Sequence, residues 1–191
     1  HSVVYGQPAI AMPFSAVEII AKVTAQGEAL SVDCDFYKGL VHKMPKIWES
    51  LKHAIRFSLH RIGAPTDPAI HIKISSTIPA ERGMGSSAAV AVAVARALFA
   101  HYEKILTDKE LWEIVQSSEK IAHGNPSGID AATTSGKSPV FFIKNQPMEP
   151  LELKLSAYLV VADTGVTGNT LEAISDVADL LEKKPEAMKF V

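Results

Sequence analysis

Cysteine is almost missing from these 191 residues: Cys34 is the only one. A single thiol excludes an internal disulfide framework and fits a reducing compartment such as the cytoplasm. A dominant charge is missing too, since 19 basic and 21 acidic side chains leave a net −2. That balance argues against a nucleic-acid-binding surface, which needs strong basicity. Long hydrophobic runs are missing as well. The most apolar stretch, Ala88–Ala100, is short and broken by Arg96, so it reads as a buried helix and not as a membrane span. No apolar leader, internal repeat or low-complexity linker is visible. The chain opens on His1, not on Met, and stops at Val191 just after one helical pattern. Both ends therefore read as cut, and a piece of a longer protein is the expectation. What is present is ordinary for a globular protein: 47% hydrophobic and 21% charged residues, enough for one domain or one domain plus part of another.

The hydrophobic pattern alternates between two periods. Ala9–Met12, between Pro8 and Pro13, reads as an edge strand or turn. Val17–Thr24 and Ala29–Asp33 flank Gly27 and predict two paired strands. Ile47, Leu51, Ile55, Leu59 and Ile62 recur at spacings of three and four, a helix with one buried stripe, ended by Gly63 and Pro65. Ile70, Ile72 and Ile74 alternate with His71, Lys73 and Ser75, a strand with one buried face and His71 on the wet one. A helix over Ser87–Tyr102 follows, and Thr107 with Glu110 forms a capping box for another helix reaching about Ala122. Val140–Ile143 and Tyr158–Ala162 read as strands, and Asn169–Lys183 as a further amphipathic helix. The order predicts an α/β or α+β fold and not a simple βαβ series.

Four segments carry candidate chemistry. The first is PAERGMGSSAA, Pro79–Ala89. Gly83 and Gly85 let the backbone turn tightly and approach a ligand, and the free N–H groups of the next helix form an anion site. Pro79, Gly83, Met84, Gly85, Ser86, Ser87 and Ala88 are thus candidates for binding the phosphates of a nucleotide triphosphate. The loop has neither the lysine of the Walker P-loop nor the third glycine of the dinucleotide fingerprint. A plain strand-to-helix turn with capping serines fits it as well. The second segment is HGNPSGID, His123–Asp130, with Glu119 upstream. Asp130 on a rigid turn is suited to orient or deprotonate a hydroxyl, and Glu119 to reach Mg²⁺. Alternatively Asp130 caps a helix and Glu119 is a solvated charge. The third, Ala162-Asp163-Thr164-Gly165, places polar residues after an apolar run, where either an ordinary turn or a ligand contact fits. The fourth is the opening HSVVYG, whose His1 is a useful donor. His42, His53, His60, His71 and His101 fall in no metal-ligand spacing.

These four segments, in this order, resemble the GHMP small-molecule kinases, and the likeness runs from His1 to about Gly168. PAERGMGSSAA is similar to that family's second motif with Met84 for the usual Leu. HGNPSGID is the most specific element and is typical of the members that phosphorylate mevalonate. The resemblance implies a ribosomal-protein-S5-like amino-terminal domain over 1–165 and the start of a ferredoxin-like second domain over 166–191. It implies ATP- and Mg²⁺-dependent phosphorylation of the C5 hydroxyl of mevalonate, a step toward isoprenoid and sterol precursors. Asp130 matches the family's catalytic aspartate, Ser87 and Glu119 its two Mg²⁺ ligands, and residues Gly83–Ser87 its loop around the ATP phosphates. His1, Asp130 and Thr164 are the positions expected to face substrate. The family's lysine partner of the catalytic aspartate would precede His1, and its third glycine-rich motif would follow Val191. Another GHMP substrate (phosphomevalonate, homoserine or a sugar) and a non-catalytic nucleotide-binding module are the alternatives. The expected partners are a small-molecule substrate and ATP, with no nucleic acid, no membrane, and a homodimer allowed for.

Overall fold

A computed structural model describes residues 2–78, 84–136, 138–154, 156–158, 160–162, 170–184 and 186. Strands β1 (Ala9–Ala11), β2 (Ile19–Thr24), β3 (Ser31–Cys34) and β4 (Tyr37–Leu40) come first. Helix α1 (Glu49–Ile62) leads to β5 (His71–Ser76), and α2 (Ser86–His101), α3 (Asp108–His123) and α4 (Ile129–Ser135) follow. Strands β6 (Val140–Phe142) and β7 (Glu149–Pro150) and helix α5 (Thr170–Lys183) complete the order. The mixed α/β architecture is the one expected.

Four strands form one sheet in the order β2-β5-β3-β4, and three form another in the order β1-β6-β7. The alternation in β5 works as read: Ile70, Ile72 and Ile74 are all buried. His71, expected to be wet, is half-buried with its Nδ1 2.9 Å from the Ser31 hydroxyl. One expected pairing is corrected. β2 and β3 do not pair with each other, because β5 lies between them, antiparallel to β2 and parallel to β3, with Ile72 opposite both Val23 and Val32. The physical reason is burial on the inner face: inserting β5 puts its isoleucines at the centre of the sheet beside the buried Val32 and leaves β2 and the more polar β4 at the two edges.

Helices α1 and α2 lie against this sheet, and α3 packs on both. The stripe on α1 is real at Leu51, Ile55 and Leu59, but Ile47 is 80% exposed. Lys46–Trp48 is a separate 3-10 turn, so the helical period does not extend back to Ile47. Gly63 ends α1 in the left-handed conformation, as its position after the stripe predicts. The capping box on α3 is present in both directions: Thr107 Oγ1 accepts from Glu110 N–H, and Glu110 Oε2 accepts from Thr107 N–H at 3.0 Å. Ser118 Oγ donates to the Ser50 carbonyl at 2.9 Å and ties α3 to α1. A second correction concerns Tyr158–Ala162. Its described residues form no strand, and Tyr158 and Val160 are almost wholly exposed.

Candidate active site

The described part of the glycine loop begins at Met84; Pro79 and Gly83 lie outside the described residues. Gly85 is the N-cap of α2 with φ +65°, the left-handed region that a side chain makes costly. Ser86 and Ser87 are therefore the first helical residues, and no side chain caps the helix. The alternative in which the serines merely cap does not hold. Both hydroxyls are left at the helix mouth, beside backbone N–H groups that the helix itself does not use. Ala88, one residue on, is completely buried, so the small side chain there lets the first turn press into the core.

Asp130 is set by a similar device. Gly128 is the N-cap of α4 with φ +93°, and Ile129 N–H donates to Ser127 Oγ at 3.2 Å. Asp130 is thus the second helical residue and not the cap. A Cβ placed on Gly85 would lie 3.4 Å from Asp130 Oδ1 and 3.5 Å from its Cγ. The Asp130 carboxylate therefore stands just beyond the space that a side chain at Gly85 would fill, although the two residues begin different helices.

Glu119 is only 2% exposed, so it is no solvated charge. Its Oε2 lies 3.7 Å from His123 Nε2, one turn on along α3. Its Oε1 is buried and has no hydrogen-bond partner among the described residues. Burial raises its carboxyl above the ordinary range, the Ser87 hydroxyl and His123 oppose that, and the nearby Asp130 charge adds to it. Asp130 opens onto a cavity yet is ringed by enough protein that lost hydration pushes its carboxyl up as well, again opposed by His123. Ser87, Glu119 and Asp130 thus meet from the starts of α2 and α4 and the last turns of α3. An orphaned carboxylate oxygen beside a hydroxyl and a second carboxylate is a donor set of hard oxygens. No cluster of three or more His, Cys, Asp or Glu among the described residues makes a full protein cage. A site supplying few protein oxygens fits Mg²⁺, which retains waters and takes phosphate oxygens.

From Gly85 and Asp130 an open cavity of about 820 Å³ runs along α2 and α4, lined on its other side by the chain entering β2. Its walls are largely apolar, with Met12, Phe14 and Val92 among them. Two residues here were not singled out by sequence. Arg96 lines the cavity and donates from Nη2 to the Ser135 carbonyl at 2.9 Å. Gln116 stands beside Gly128, where an added Cβ would lie 3.6 Å from its Oε1, and that buried oxygen also lacks a partner among the described residues. The one signal for Gln116 was its place three residues before Glu119, on the same helix face. His1 and Thr164 lie outside the described residues, as do Asp163 and Gly165, while Ala162 is exposed.

Residues 48–137 match the family described as GHMP kinases N terminal domain. The chain is 31% identical over 212 residues to a mevalonate kinase of Pyrococcus horikoshii, an alignment covering 99% of this chain and 60% of that protein. Among solved structures, the mevalonate kinase of methicillin-resistant Staphylococcus aureus is 35% identical, with a TM-score of 0.61 over 95% of this chain and 65% of that one. The L. major mevalonate kinase in complex with R-mevalonate gives a TM-score of 0.75 at 25% identity, over 98% of this chain and 59% of that one. The chain spans about 60% of the length of the curated relatives it matches.

Proposed function

The chain belongs to the GHMP kinases, and on that premise we propose that it carries the catalytic part of a mevalonate kinase, transferring the γ-phosphoryl group of ATP to the C5 hydroxyl of mevalonate. The observation that carries this reading is the meeting of Ser87, Glu119 and Asp130 at one end of the cavity, with Gly85 against the Asp130 carboxylate. Its identity to several mevalonate kinases supports the choice of substrate.

Phosphoryl transfer asks a protein mainly for in-line placement and for neutralised charge. The N–H groups at the start of α2, together with Pro79, Gly83, Met84 and Gly85, would hold the phosphates. Ser87 Oγ and Glu119 would hold Mg²⁺, which would supply positive charge to offset that of the phosphates. Asp130 would accept a hydrogen bond from the C5 hydroxyl and take its proton as the hydroxyl attacks. A carboxyl pushed above its ordinary range is the stronger base for that step. His1 and Thr164 belong to the proposal as substrate-facing positions, and residues 1–165 and 166–191 as the catalytic domain and the start of a second. Cytoplasmic location, and a role in isoprenoid and sterol precursor supply, follow from the same reading.

The test is ADP release by the complete protein with Mg·ATP and mevalonate, phosphomevalonate, homoserine or galactose. Selective turnover of mevalonate supports the proposal. Turnover of another member moves the substrate within the family. ATP binding without turnover of any would leave a nucleotide-binding module. Sedimentation of the same preparation reads whether two copies associate.

A further inference from the structure

The reading above draws on HGNPSGID for Asp130 and leaves the first residue of that motif, His123, without a part. His123 is the last helical residue of α3. Its carbonyl accepts from Asn125 N–H at 2.7 Å, and the next residue, Gly124, donates its N–H to the Lys120 carbonyl at 2.9 Å. The backbone that carries the ring is thus tied down at the helix end. Glu119 lies one turn earlier, which puts both side chains on one face of the helix. The two oxygens of Glu119 are not equivalent. Oε2 lies 3.7 Å from His123 Nε2, and Oε1 is buried with no hydrogen-bond partner among the described residues. At 3.7 Å the contact to Oε2 is electrostatic, just longer than a hydrogen bond. A ring with its proton on Nε2 turns a positive edge to Oε2 whether it is neutral or charged.

We propose that His123 is a positioning residue for Glu119: it holds Oε2 and so leaves Oε1 as the oxygen offered to the metal. The inference rests on the Mg²⁺-holding role given above to Ser87 and Glu119, and adds the residue that fixes the carboxylate for it. Three torsions separate a glutamate carboxylate from its backbone, so a partner that orders it before the cation arrives lowers the entropy lost on binding. Metal-ligating groups are commonly fixed in this way by a polar side chain that does not itself touch the metal. A base in the last turn of a helix also has a plain structural use, as a charge against the helix dipole. That use acts on stability and not on the metal, and the experiment separates the two.

The experiment measures Mn²⁺ binding, by electron paramagnetic resonance, to the complete protein saturated with a non-hydrolysable ATP analogue. The unaltered complex should hold Mn²⁺ more tightly than the analogue alone. His123→Leu keeps the bulk and removes the N–H. It should weaken Mn²⁺ binding about 10- to 100-fold and leave binding of the metal-free analogue unchanged. His123→Gln, whose amide can reach the same oxygen, should recover most of the loss, and the shorter His123→Asn should not. In a Glu119→Gln background, His123→Leu should cost nothing further, because the two side chains act as a unit. Unchanged Mn²⁺ affinity in His123→Leu overturns the inference, whatever happens to its melting temperature. An equal loss in both backgrounds overturns it too, since His123 would then act without Glu119. If His123→Leu does not fold, the contrast between His123→Gln and His123→Asn decides, and equal affinities in those two overturn the inference. An unaltered complex that holds Mn²⁺ no more tightly than the analogue alone overturns the metal role of Ser87 and Glu119 itself, which separates the two failures.

Discussion

The molecule has two apolar cores, and they are built from different residues. The first, between the four-stranded sheet and the helices α1 and α2, is made of large side chains such as Leu30, Val32, Ile55, Leu59, Ile72 and Leu98. The second, where α2 meets α1, α3 and α4, includes Ala54, Ala88, Ala91, Ala95 and Ala131 along with Phe99, Leu111, Ile114 and Val115. The polar groups around the first are paired: Ser31 with His71, Tyr37 with the Leu40 carbonyl, and Leu30 N–H with Asp67. The second borders the buried Glu119 and both orphaned side-chain oxygens, on Gln116 and Glu119. Apolar burial stabilises the first core in proportion to the area removed from water. Alanine buries little, but it lets helix axes come close, and close helices bring Gly85, Glu119 and Asp130 together. One core holds the fold and the other sacrifices some stability to hold a site.

Five substitutions would break or sharpen that contrast. The largest effect is expected from Asp130→Asn, which should lower kcat about 10³-fold and leave ATP affinity, read by calorimetry, unchanged. Equal losses in both would remove Asp130 from the chemistry. Next, a truncation in the first core and an enlargement in the second should both destabilise, for opposite reasons. Leu59→Ala opens a cavity at a 1% exposed site and should cost about 3 kcal/mol in urea unfolding. Ala95→Leu overfills a fully buried site and should cost about 2 kcal/mol. A neutral Ala95→Leu would mean that the helices are not tightly apposed.

Gly85→Ala comes third. The left-handed backbone should cost about 1–2 kcal/mol, and the new methyl group would come into van der Waals contact with the Asp130 carboxylate. A fall in kcat beyond what the stability loss explains would place the loop in the site. The smallest effect has the opposite sign. Glu119 has its carboxyl raised from 4.5 in the folded state. Its favourable contribution is therefore present in full below the ordinary range and is lost as pH rises through the raised value. Once ionised, the buried group opposes folding of the metal-free protein. Glu119→Gln should then raise stability at neutral pH, read as a higher Tm, and the gap should close on acidification. The thermal shift given by Mg·ATP should shrink in the same variant. A destabilised Glu119→Gln would mean that the His123 contact outweighs burial.

Much of this was legible in the sequence where a signal is local. The Thr107–Glu110 box, the glycine after α1 and the alternation of Ile70, Ile72 and Ile74 each state their own geometry. The strand order was not legible, because pairing β5 between β2 and β3 is decided by which edges the isoleucines cover and not by distance along the chain. The ribbon strand Tyr37–Leu40, broken by Gly39, carries too weak an alternation to read. Asp130, Ser87 and Glu119 were named individually, with motif likeness adding to the residue chemistry. Their approach across three helices has no local signal, and neither has Arg96 at the cavity's far end.

The central position of β5 has a consequence for the chain as it is made. β2 ends at Thr24 and β3 at Cys34, while the strand that both of them flank begins only at His71. At about 5–20 residues per second on the ribosome, β2 has no neighbouring strand in its sheet for the few seconds that residues 25–70 take to appear. During that interval the β3–β4 ribbon can close alone, but β2 presents a bare edge to any other extended chain. The four-stranded sheet thus cannot close until residues 71–76 have been made, immediately ahead of the glycine loop that follows them.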